Sequence, residues 1–111
     1  MTAVRQVERY GWVRWQAIPA AVITPEPVEL AERLGVRFEH DLVDDDLCEL
    51  AVLQLPSGVS LELRRQVTST FPGTQLWVDE SLEHRQVVDE FLSVTGLPSS
   101  VVTWRYGVGR V

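Results

Sequence analysis

The segment Leu55-Pro56-Ser57-Gly58-Val59 constrains the fold of this chain more than any other. Proline suits the first central position of a type I turn, and Gly58 suits the left-handed residue of a G1 bulge, so the segment reads as a hairpin loop. The flanks agree on one register: Leu55 opposite Val59, Leu53 opposite Leu61, Ala51 opposite Leu63 and Glu49 opposite Arg65. Apolar partners then share one face and the outermost pair is of opposite charge. The reverse face sets Cys48, Leu50 and Val52 against Ser60, Glu62 and Arg64. It is apolar on one strand only, which implies that another element covers that strand.

This hairpin sits inside a meander predicted over residues 36–79. Residues 36–43 read as a strand, Asp44-Asp45-Asp46 as a turn, and residues 47–55 as the next strand. Phe71-Pro72-Gly73-Thr74 reads as a type II turn, with glycine where φ must be positive. The strand that follows places Leu76 and Val78 on one face and Trp77 on the other. Residues 11–18, rich in aromatic and β-branched side chains, predict a further strand, and residues 101–106 a last one. The glycine-rich tail 107–111 is expected to fray.

Two helices flank the meander. Thr24 as N-cap, Pro25 at the first helical position and Glu26 at the positive end of the dipole predict a helix over about residues 25–34, closed by Gly35. In the second, His84, Val87, Val88, Phe91, Leu92 and Thr95 recur at helical spacing. That helix should run over about 81–95, capped by Asp79 or Ser81 and stopped by Gly96 and Pro98. The fold class is α+β: an antiparallel sheet of about four or five strands, the second helix across one face and the first at an edge. A chain of 111 residues predicts a single domain, 1–111.

Composition narrows the functional classes. Every basic residue is Arg, a mark of a GC-rich, bacterial-like coding sequence rather than of mechanism. The net charge of −6 is unevenly distributed. Nine carboxylates face two Arg between Glu26 and Glu49, and five face one between Asp79 and Glu90. The remainder carries seven Arg against Glu8 and Glu62. An acidic middle opposes a nucleic-acid backbone and suits a basic protein partner. The longest apolar stretch, residues 17–23, is interrupted by Pro19 and far too short for a membrane span. No signal sequence is visible and Cys48 is single, so the cytoplasm is the expected compartment.

Catalytic and metal chemistry find little footing. Asp44, Asp45 and Asp46 are consecutive, so their side chains diverge, and the glycine of a calcium loop is missing. Cys48 lies beside Glu49 and just after three Asp, a setting that opposes a reactive thiolate. His84 reads as the edge of a core, and His40, between Glu39 and Asp41, would gain proton affinity only by pairing with a carboxylate. No glycine cluster resembles a phosphate loop. The expectation is a non-enzymatic protein needing no cofactor. It is an acidic protein-binding domain of the inhibitor, immunity or adaptor type, docking a basic surface through Asp41, Asp44, Asp45 and Asp46 with Trp12 and Trp15 as anchors. The alternatives are a structural or homo-oligomeric subunit and a small-ligand module.

Overall fold

The computed structural model describes residues 4–9 and 16–111. The predicted anchors Trp12 and Trp15, and most of the strand expected over 11–18, lie outside the described residues. The elements run β1 (Arg5–Val7), β2 (Ala17–Ile23), α1 (Pro27–Leu34), β3 (Glu39–Val43), β4 (Asp46–Gln54), β5 (Ser60–Gln66), β6 (Thr74–Asp79), α2 (His84–Thr95), a 3₁₀ turn (Ser99–Val101), β7 (Val102–Arg105) and β8 (Gly109–Arg110). All strands join one antiparallel sheet in the order β1-β4-β5-β6-β2-β7-β8, and β3 pairs with β4 beside β1. The fold is therefore α+β with eight strands among the described residues, not four or five.

The β4–β5 hairpin has the predicted register, with Glu49, Ala51 and Leu53 opposite Arg65, Leu63 and Leu61. Gly58 has φ 92°, Leu55 N–H donates to Val59 O, and Gly58 N–H donates to Leu55 O. The extra strands are short or irregular. β1 has three residues and β8 two, too few for any periodicity to register. The tail does not fray: Gly107 and Gly109 at positive φ turn it back, and Val111 N–H bonds to Thr103 O. In β2 the pairing slips between Pro19 and Ala21, so the proline that breaks the apolar pattern occupies a bulge.

Both helices begin later than the sequence predicts. Thr24 does not cap α1, because its N–H donates to Val101 O and continues the β2–β7 contact. Glu26 is the N-cap instead, Pro27 takes the first helical position, and Glu29 accepts from Glu26 N–H. Asp79 does not cap α2. Its carboxylate accepts from both the N–H and the hydroxyl of Ser81, closing a tight turn that delays the helix to His84. These hydrogen bonds hold the Asp79 carboxyl below its ordinary pKa.

The two helices lie on the same face of the sheet. Phe91, Val87 and Val88 of α2 and Leu30 and Leu34 of α1 close one core over Leu53, Leu61, Leu63, Leu76, Val78 and Ile23. α1 packs on β5 rather than at an edge, and Arg33 ties it to α2 through the carbonyls of Thr95 and Gly96. Among the described residues no helix is long and apolar enough to cross a membrane.

Candidate functional site

The acidic residues singled out in the sequence lie on the β3–β4 hairpin but do not converge. Val43 pairs with Asp46, so the loop is the two-residue Asp44–Asp45 turn, with φ of 51° and 69°. Positive φ at both positions is the signature of a type I′ turn, whose twist matches that of the strands it joins. Asp44 and Asp45 therefore form the exposed tip. Asp46 belongs to β4 and accepts from Gln66 Nε2 at 3.1 Å. Asp41 pairs at 2.5 Å with Arg9, whose side chain is buried. Among the described residues, no group of three or more His, Cys, Asp or Glu is placed to hold a metal.

Beside the tip lies an apolar row. Leu42 and Leu47 are direct cross-strand partners, and Val67 N–H bonds to Leu47 O, which brings Val67 alongside. All three are exposed, Leu42 to 61%. This row is the feature missed by reading for charge alone. Its signal was two leucines flanking an acidic turn, which a tight hairpin must place side by side. His40 on the same hairpin stands 3.5 Å from Glu49.

The sheet face away from the helices holds the second concentration of chemistry. Cys48, Leu50 and Val52 are buried there, as the one-sided apolar pattern requires, but so are Glu62 and Arg64. Glu62 is fully buried and accepts from Arg64 Nε at 2.7 Å, with Arg64 Nη2 at 2.5 Å. Arg64 also lies 3.8 Å from the centre of the Trp77 ring, a cation–π contact. Trp77 Nε1 donates to Gln75 Oε1 at 2.8 Å. The second Glu62 oxygen, Oε2, is buried with no hydrogen-bond partner among the described residues. Burial pushes the Cys48 thiol up from its ordinary pKa, and the Asp46 and Glu62 charges add to that against Arg64 and Arg9. Its Sγ–H points to Asp46 O at 3.6 Å. A buried, proton-retaining thiol is a poor nucleophile.

An open groove of about 710 Å³ continues across this face toward β8. Arg65 shapes one wall: its guanidinium donates to the carbonyls of Phe71, Gly73 and Ser69 and pairs with Glu26 at 3.3 Å. This fixes the loop between β5 and β6. Gly73 is required there, since at φ 99° an added Cβ would stand 2.2 Å from Ile23 O.

No protein-family model, curated protein or solved structure matches this chain.

Proposed function

We propose that this chain is a non-catalytic, acidic protein-binding domain that docks a basic partner through the β3–β4 hairpin. The observation that carries the reading is the juxtaposition of the exposed Leu42–Leu47 pair with the Asp44–Asp45 tip. Protein interfaces combine a small apolar centre, which supplies most of the affinity, with a polar rim that sets register and encounter rate. Here the leucines and Val67 supply the centre, and Asp44 and Asp45 supply a negative rim. A hairpin tip held by its own backbone is already ordered, so little entropy is lost on docking.

The occupant is a protein whose apolar pocket is ringed by Arg or Lys. A second copy of this chain is a poorer fit. It would present the same negative tip. The asymmetric charge of the chain fits the same conclusion, since the segment Glu26 to Glu49 is its most acidic part.

The test is affinity capture from native extract followed by reconstitution with the purified partner. Wild type is compared with Asp44→Lys/Asp45→Lys and with Leu42→Ser/Leu47→Ser. Each pair should weaken binding about tenfold or more, and raising salt should weaken the wild-type complex. A complex that ignores both double substitutions, or the failure of any stoichiometric partner to bind, overturns the reading.

A further inference from the structure

We infer that the groove on the face opposite the helices is a binding site for a small aromatic carboxylate. The site is distinct from the docking hairpin. Its floor is a single cross-strand row traced by the pairings Arg64–Gln75, Gln75–Val22, Val22–Trp104 and Trp104–Arg110. Neighbouring strands lie about 4.8 Å apart, so the backbones of the two terminal arginines are roughly 19 Å apart across five strands. A cation thus stands at each end, with an amide, a valine and an indole between them. Phe71 and Pro72 rise from the β5–β6 loop as an apolar wall, and Phe71 is 78% exposed.

Charge selects the ligand's sign. The chain carries −6 overall, yet the charged side chains lining this groove are Arg64, Arg65 and Arg110, with no Asp or Glu side chain among the described residues. They are not equivalent. Arg65 is spent on its carbonyls and Glu26. Arg64 is fixed by Glu62 and Trp77, which orient it and leave Nη1 without a partner among the described residues. Gln75 accepts from Trp77 through its oxygen, and its amide nitrogen has no hydrogen-bond partner among the described residues. Arg110 is exposed and makes no ion pair among the described residues. Among the described residues the groove therefore offers side-chain donors and positive charge, and no Asp or Glu side chain to bind a cation.

Shape and chemistry select the body. Trp104 and Val22 form a floor between the donors, and an aromatic plane laid there gains stacking and apolar burial. Its carboxylate would be met by Arg110 in the fork geometry that guanidinium offers a planar anion. Arg64 Nη1 and the Gln75 amide would receive an acceptor at the other end. The floor is preorganised, because Arg64 and Gln75 are each held by contacts that persist without ligand.

The probe is 2-naphthoate, with neutral 2-naphthamide as its isostere, measured by calorimetry and by ¹H–¹⁵N shifts of the Trp104 indole and the Gln75 amide. The naphthoate should bind and move both signals, and the amide should bind at least tenfold more weakly. Arg110→Gln, an exposed substitution that leaves the core untouched, should abolish most of the preference for the acid. Trp104→Leu should weaken both compounds. Equal affinity for acid and amide overturns the inference, as does the absence of shifts at Trp104 and Gln75 at millimolar probe. The Asp44→Lys/Asp45→Lys protein should bind naphthoate normally, so the two sites can fail independently.

Discussion

Strand β5 sends Leu61 and Leu63 to the helix-covered face and Glu62 and Arg64 to the other, and all four are buried. The first face is closed by α1 and α2 and needs only complementary volume. The second holds a buried ion pair, a cation–π contact, a protonated thiol and a carboxylate oxygen without a partner among the described residues. Volume is forgiving, because apolar side chains of similar size can exchange at modest cost. Charge is not: each buried partner is stable only while the other remains. The two faces of one strand should therefore respond differently to the same kind of substitution.

The largest expected effect breaks that comparison directly. Glu62→Ala leaves the Arg64 charge buried and unpaired, and should cost about 3–5 kcal/mol by urea denaturation. On the helix face, Leu63→Ala should cost a similar amount, roughly 2–5 kcal/mol, through its cavity. The faces separate on rescue. Replacing the pair together, Glu62→Leu with Arg64→Met, should restore most of the stability or exceed the wild type. No second substitution of that kind refills the Leu63 cavity. If the double variant is as unstable as Glu62→Ala, the far face is held by packing rather than by charge.

How much of this was legible in the sequence follows the same division. The β4–β5 register was legible because a turn with one loop geometry and an alternating apolar face gave the same answer. The stripe of α2 was legible because Val87, Val88, Phe91 and Leu92 all face one core. Helix starts were not, because Thr24 and Asp79 each had a competing backbone or side-chain partner that only the folded chain supplies. The far face was half legible. Cys48, Leu50 and Val52 announced a covered strand, but Glu62 and Arg64 at alternate positions look like a solvated face until their burial is known. The groove was illegible, since its row draws one residue from each of five strands that are distant in the chain. The surplus of Arg outside the acidic segments was its one trace.

A smaller effect is expected where the two faces meet. Gly73 sits in the loop that walls the groove, yet its backbone is pressed against the carbonyl of Ile23, a residue of the helix-side core. Gly73→Ala adds a Cβ to a backbone at φ 99° and forces that contact apart. The cost should be about 2 kcal/mol or more, a fall in Tm of roughly 10 °C for a domain of this size. Naphthoate affinity should fall with it, because Phe71 and Pro72 ride on the same turn. A variant that melts normally would show that the loop and the core are not coupled through this residue.

The smallest effect is a kinetic one, and it reports on the far face alone. Cys48 is buried there and its thiol pKa is raised above the ordinary 9.0, with burial as the main cause. A raised pKa in the folded state means the thiol form is the stabilised one. Its contribution is complete below 9.0 and is lost as pH rises through the folded value. Below that range, reaction with a disulfide reagent such as 5,5′-dithiobis(2-nitrobenzoate) must wait for the face to open. At pH 8 the native protein should react many times more slowly than the urea-unfolded chain. Glu62→Ala should accelerate the reaction far more than Leu63→Ala at equal loss of global stability, because only the first loosens the face that covers the thiol. Equal acceleration by the two variants would mean that both faces open together, and the distinction between them would then be one of composition and not of stability.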